Sequence, residues 1–375
     1  MVRKGELAMT TSFLDHIGIV EDYRIPGMVT YPLSEILLGT LVGLLCGAED
    51  WEEIELICQE QLSWLQKFLP FEEGIPQAQT FRKVFRLLDP KALEKAFASW
   101  VSSLQRTFVG VIAVDGKTAR GSKHSADGEG ALHVVSAYAH EAGIVIGQRA
   151  VDTKSNEITA IPDLLDCLAL EGAIVTIDAM GCQKAIASKI RDCNADYILA
   201  LKGNQGTLQD DVLAYFNDPV LKKASSGVTA IDAGHGRIEE RICRVAKADW
   251  LQELHEGWRD MNTLVQIESR RTDKKTGAIS VETRCYISSL SPDPENLMLG
   301  VRLHWGVENC LHWQLDVTFR EDENRTRKDN AALNLVVMRH TAFNILKREP
   351  SKMALKRKRL KAAINQDFRA RLLAC

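Results

Sequence analysis

At 375 residues, with 45% apolar and 26% charged positions, the chain has the content for a substantial core, and two domains, or one carrying an insertion, are expected. A net charge of −3 speaks against a protein that coats a polyanion along its whole surface, and nine cysteines without a CxxC spacing outline neither a zinc knuckle nor a disulfide framework. Apolar runs such as Ile36 to Cys46 fall short of a bilayer span, and the stretch up to Gly18 has acids where a signal peptide needs an apolar region, so a cytoplasmic protein without membrane contact and with reduced thiols is expected.

Residues 1–104 form the first expected unit, an all-helical one. SEILLGTLVGLLCGAEDWEEIELICQEQLSWLQKFL repeats apolar residues at threes and fours, and KALEKAFASWVSSLQRTF follows Asp89-Pro90 in the same manner. Between them a Thr80-led amphipathic helix leaves open either a small helix-turn-helix or plain packing, since it shows no basic recognition face.

At Val109 the texture changes. VGVIAVDGKTARGS reads as a buried strand ending in Asp115, and HVVSAYAH and IVIGQRAV, joined by Glu141-Ala-Gly143, read as a hairpin. EITAIPDLLDCLAL reads as a helix capped near Ser155 or Asn156. GAIVTIDAMGC is a further strand with Asp178 at its carboxyl end, and QKAIASKIRDC and DYILALKGN add a helix and a strand. After a helix from Gln205 to Phe216, GRIEERICRVAK, MNTLVQIESRRT and AISVETRCYISSL predict a small β insertion over about 228–290.

VRLHWGVENCLHWQLDVTFRED, Val301 to Asp322, reads as one helix centred on Glu308, with His304, Trp305, Leu311, His312 and Leu315 on its face. An acid on that face points inward, and a buried acid asks for a charged partner or a metal. Trp305 and Trp313 are expected in the core, with base stacking as the alternative. DNAALNLVVMRHTAFNILKR follows as a second helix. From Lys347 to Cys375 ten Lys or Arg face two acids, a local excess of +8 that leaves the rest of the chain at −11; this basic tail, 347–375, reads either as a nucleic-acid contact or as a solvated helix.

Asp115 and Asp178 end strands, where open α/β sheets place their sites, and Glu308 sits on a late helix. Such a trio offers hard oxygen ligands suited to Mg²⁺ or Mn²⁺. Two such ions roughly 4 Å apart clamp the attacking and leaving oxygens of a phosphodiester in an in-line displacement. Lys117, Lys202, Asn204 and Gln205 follow strand ends, where they are placed to reach phosphates or bases, with solvated strand-end residues as the alternative for the two lysines; Arg325, Arg327 and Lys328 form a basic turn suited to a DNA backbone. His304, Trp305, Asn309 and His312 are the expected supporting neighbours of Glu308.

VIAVDGKTARGS, then IVTIDAMGCQ with ADYILALKGNQ, then HWGVENCLHWQLDVTFREDENRTRKDNAALNLVVMRH, resemble in that order the blocks of the insertion-sequence DDE transposases of the H-repeat-associated group. The resemblance runs from about Val109 to Leu346, and EILLGTLVGLLCGAEDWEEI resembles the segment that accompanies that catalytic domain. It implies a ribonuclease H-like mixed sheet flanked by helices over 105–346, with Asp115, Asp178 and Glu308 as a Mg²⁺-binding triad (Mn²⁺ as a substitute) spaced by 63 and 130 residues. The implied activity is cleavage and transfer of DNA strands at terminal inverted repeats and target DNA, by a homo-oligomer associated with the nucleoid. The wider superfamily carries Tyr, Arg and Lys around the Glu where this chain has Val301, His304 and Leu315, so roles of those side chains do not transfer. His235 and Arg237 in GHGRIEER resemble a further motif of the group.

Two rival readings remain at this point. His304, Glu308 and His312 at i, i+4 and i+8 suggest a zinc site on one helix, although two turns separate the histidines and the pattern is not HExxH. The other is a transposase remnant that binds DNA without cutting it.

Overall fold

The computed structural model describes residues 12–105, 107–123, 130–152, 156–234 and 236–374; Ser155 and His235, singled out above, lie outside them. Among the described residues nine strands form one mixed sheet: β1 (Gly110–Ala119), β2 (Leu132–Ala139), β3 (Ile144–Val151), β4 (Ala173–Ile177), β5 (Asp196–Leu201), β6 (Ser226–Gly234), β7 (Arg237–Lys247), β8 (Thr263–Asp273) and β9 (Ile279–Ser288), in the order β3-β2-β1-β4-β5-β9-β8-β7-β6. The β1, β2 and β3 ribbon is antiparallel, whereas β1, β4 and β5 run parallel. This 3-2-1-4-5 order is the ribonuclease H-like arrangement.

The β insertion expected over about 228–290 consists of β6 to β9, and it is continuous with the main sheet. β9 pairs antiparallel with β5, so β6 to β9 extend the same sheet. β6 escapes sequence reading because it is an edge strand whose residues are mostly exposed, and it carries no buried apolar alternation.

Strand alternation gives the sheet two packed faces. Ile198 belongs to a cluster with Leu297 and Val301, whereas its neighbours Tyr197 and Leu199 join the main core. The helix Pro294–His304 lies so close over β5 that a Cβ at Gly300 would come within 2.5 Å of Ile198 Cδ1. It starts at Asp293, whose carboxylate accepts from the N–H groups of Glu295 and Asn296, with Pro294 in the first turn. The helix Glu157–Leu165 is capped by Asn156, whose Oδ1 accepts from Ile158 N–H at 3.1 Å.

The helix Ala331–Arg348 joins the two parts of the molecule. It is buried along nearly its whole length, so its amide side chains find their partners in main chain. Asn344 exchanges hydrogen bonds of 2.8 and 2.7 Å with Val145 of edge strand β3, and Asn334 donates to the carbonyls of Phe85 and Leu88 at 2.9 Å in the N-terminal helices. Those helices, chiefly Leu33–Cys46, Trp51–Glu60, Ala78–Leu87 and Pro90–Leu104, share the main hydrophobic cluster with the sheet. Among the described residues no helix is long and apolar enough to cross a membrane.

The basic C-terminal segment is structural in part. It folds as Leu355–Ile364 and Gln366–Leu373, and three of its cations are buried. Lys358 donates to the carbonyls of Leu346 (2.8 Å) and Glu349 (2.5 Å). Arg359 donates to Leu44 O (2.9 Å), Ala48 O (3.1 Å) and Thr318 O, and Arg369 donates to Ala362 O (2.6 Å) and lies over the Trp64 ring. Neither a DNA contact nor a solvated helix describes these three side chains.

Candidate active site

β1 and β4 bring the first two acids together by register. Val114 pairs with Ile177 in parallel, so the next residues, Asp115 and Asp178, stand side by side where β4 ends; β1 does not end at Asp115 as expected but runs on to Ala119, still paired with β2. The Asp115 carboxyl is pushed up to about 6, chiefly by burial with Asp178 and Glu157 adding to it, against the pull of His312 and of the Gly116 N–H at 3.0 Å from Oδ1. Asp178 Oδ1 accepts from Met180 N–H (3.0 Å) and Gly181 N–H (3.4 Å), which fixes the turn after β4. That turn is braced from the end of β5. Asn204 Nδ2 donates to Ala179 O at 2.6 Å and Gln205 Nε2 to Cys182 O at 3.0 Å. Two side chains expected at DNA thus hold the Asp178 loop.

Glu308 arrives on a helix that is not regular. After Pro294–His304 the chain turns through Trp305, makes a π-helical turn at Glu308–His312 and resumes as Trp313–Val317. The extra residue in that turn breaks the i, i+4 logic on which a single face was expected. Leu311, His312 and Leu315 are buried as expected, but the Glu308 side chain is 63% exposed and Trp305 and Trp313 are 47% and 52% exposed. Glu308 therefore faces the site from the solvent side instead of pointing into the core.

Asp115, Glu308 and His312 offer ligand atoms that all lie within 4.8 Å of one another, close enough for one ion. His312 Nδ1 is 3.0 Å from Glu308 Oε2 and 3.7 Å from Asp115 Oδ2. The donor chemistry, two carboxylates with a third beside them, fits a divalent cation. His304 stands apart from this group: its Nδ1 lies 3.0 Å from Thr176 Oγ1, and burial lowers its pKa to about 4, so it is a neutral tie between helix and β4. The zinc reading of the two histidines finds no support in this geometry. Asn309 Nδ2 donates to Trp305 O at 3.2 Å, and the Arg284 guanidinium covers the Trp305 ring at 4.4 Å.

Lys117 departs furthest from expectation. Its ammonium is 2.6 Å from Asp316 Oδ1, 3.1 Å from Glu321 Oε2 and 3.4 Å from Asp322 Oδ1, with 11% of the side chain exposed. It ties β1 to the chain beyond the Glu308 helix and does not reach outward. Lys202, Arg325 and Lys328 are exposed, whereas Arg327 Nε donates to Gly121 O at 3.0 Å.

Two arginine-rich surfaces interleaved with acids escape sequence reasoning: Arg82 pairs with Glu52 and Arg86 with Asp329 in the first, and Arg241, Arg271, Arg284 and Arg302 pair with Asp232, Glu239 or Glu282 in the second. Arg82 and Arg86, four apart on Ala78–Leu87, line one depression with Arg325, Arg327 and Lys328; their i, i+4 spacing was a usable signal. Arg237, Arg241, Arg271, Arg284 and Arg302 line a groove that ends at Glu308 and Asn309. They come from three strands and a helix, so only the sheet register assembles them.

Comparison with known proteins bears on this site. Residues 107–345 match the family described as transposase DDE domain, and residues 14–101 match the DDE_Tnp_1-associated segment. The chain is 40% identical over 368 residues to "Putative transposase YncI" of Escherichia coli O157:H7, covering 97% of this chain and 94% of that protein. It is 39% identical over 369 residues to "H repeat-associated putative transposase YhhI" of Escherichia coli strain K12, covering 96% and 97%. A cryo-EM structure of a piggyBac transposase synaptic complex with hairpin DNA aligns with a TM-score of 0.46 at 10% identity, over 97% of this chain and 78% of that one.

Proposed function

The chain belongs to the transposase DDE domain family, and on that premise we propose that it cuts and rejoins DNA at the ends of an insertion element, with Asp115, Asp178 and Glu308 as its metal-binding triad. The observation that carries this reading is the pairing of Val114 with Ile177, which makes neighbours of two aspartates 63 residues apart, together with the approach of Glu308 to Asp115.

Asp115 and Glu308 would hold one divalent ion, and Asp178 would share with Asp115 in a second position. Bound there, Mg²⁺ or Mn²⁺ supplies charge stabilisation for an in-line displacement at phosphorus. In that displacement the oxygen of water, or of a DNA 3′-hydroxyl, forms a new P–O bond as the bond to the leaving oxygen breaks. Asn204 and Gln205 keep the Asp178 turn in place, and Lys117 fixes the end of β1 against the chain that follows Glu308. Lys202 contacts the DNA backbone, as does the surface that Arg325 and Lys328 share with Arg82 and Arg86. Transfer between two ends calls for a homo-oligomer that holds both.

The test is incubation of the purified protein with DNA that carries the sequences on either side of its gene, inverted repeats there being the expected substrate. Nicking at the repeat boundary that requires Mg²⁺ or Mn²⁺ is expected. Binding without cleavage in either ion would mark a silent remnant.

A further inference from the structure

We propose that His312 is itself a metal ligand, its Nδ1 completing an Asp115, Glu308 and His312 donor set that favours Mn²⁺ over Mg²⁺. This rests on the triad reading above and adds a nitrogen to a site otherwise made of oxygens.

The ring is placed for that role. His312 is 5% exposed, and its Nε2 is buried without a hydrogen-bond partner among the described residues. On its other edge, Nδ1 faces two carboxylates, Glu308 at 3.0 Å and Asp115 at 3.7 Å. The polar contacts of the ring are thus with the atoms that would hold the ion. The π-helical turn Glu308–His312 is what allows this: it keeps the imidazole inside while leaving Glu308 on the solvent side, so that the two converge on Asp115 from different directions. A nitrogen donor matters for selectivity. Mg²⁺ holds oxygen ligands and water in octahedral order, whereas imidazole suits the transition ions. No other histidine among the described residues belongs to a group with metal-binding spacing.

The competing role is a counter-ion, an imidazolium that holds Asp115 and Glu308 together and never touches the ion. Pulsed electron paramagnetic resonance of the Mn²⁺-loaded protein separates the two. A directly coordinated ¹⁴N signal in the wild type, abolished in His312→Gln, is expected, with Mn²⁺ affinity falling by at least the roughly 10- to 100-fold that loss of a supporting partner costs. Should His312→Gln fail to fold, the wild-type spectrum alone decides. Mn²⁺ binding that is abolished by Asp115→Asn but shows no ¹⁴N coupling would overturn the ligand role and leave the triad standing. Absence of Mn²⁺ binding sensitive to Asp115→Asn would overturn both.

Discussion

Lys117 Nζ lies 3.1 Å from Oε2 of Glu321, a carboxylate that is 3% exposed and has Arg339 at 3.6 Å from its other oxygen. Burial pushes the Glu321 carboxyl up, but Arg339 and Lys117 overcome it and hold it below its usual range. Removing that charge strands the buried Arg339 and takes from Lys117 one of its three acids. Glu321→Gln is expected to destabilise the fold by about 3–5 kcal/mol, because an uncompensated buried charge costs more than an exposed pair contributes. Denaturant unfolding measures it, and a change below about 1 kcal/mol would show that the cluster is solvated.

The exposed turn cations act differently. Arg325→Ala with Lys328→Ala is expected to leave stability unchanged and to weaken duplex binding whatever its sequence. The slope of log affinity against log salt should flatten by about 0.9 for each phosphate that the variant no longer neutralises. An unaltered slope would remove these residues from the DNA surface.

In the C-terminal segment, anchors and surface charges are to be separated. Arg359→Ala leaves the carbonyls of Leu44, Ala48 and Thr318 without this partner, and a loss of about 2 kcal/mol or more is expected in thermal unfolding. Lys356 and Arg357 are exposed, so their double alanine variant should melt like the wild type. Truncation after Leu346 would confound the two roles by unfolding the protein.

Acid sensitivity should come from buried imidazoles. Burial lowers the pKa of His340 to about 4, with Glu321 opposing and His312, Lys117 and Arg339 assisting. The unfolded chain takes up this proton near pH 6.5, which the folded protein refuses until about 4. Stability is therefore complete above pH 6.5 and is lost as pH falls towards 4, by on the order of 1–3 kcal/mol. His304 shifts in the same direction, so His340→Gln should reduce the slope of unfolding free energy between pH 6.5 and 4 without abolishing it. An identical slope in the variant would contradict this origin.

Much of the sheet was legible because its strands are short β-branched runs bounded by turn residues, and because Asp178 closes β4; the end of β1 was not, since pairing with β2 carries it past Asp115 to Ala119. Side-chain direction at the late helix was not legible. Periodicity assumes a uniform turn, and the π-helical turn at Glu308 invalidates it for Trp305 and Glu308 while leaving Leu311 and Leu315 inside. Nor does composition distinguish Lys117, which lies within β1 and is held by three acids far along the chain, from Lys202, which stands exposed after β5: in the sequence both read as a lysine after a strand. The arginine groove and the buried cations Arg359 and Arg369 share that difficulty, since their partners are brought close only by the completed fold.

The central claim is that Asp178 acts with Asp115 and Glu308 in phosphodiester chemistry. Strand cleavage and strand transfer on terminal-inverted-repeat DNA, in Mg²⁺ and again in Mn²⁺, with Asp178→Asn beside the wild type, tests it most directly. Cleaved and joined products from the wild type alone, with equal DNA binding by both proteins, are expected; equal product from Asp178→Asn would contradict it.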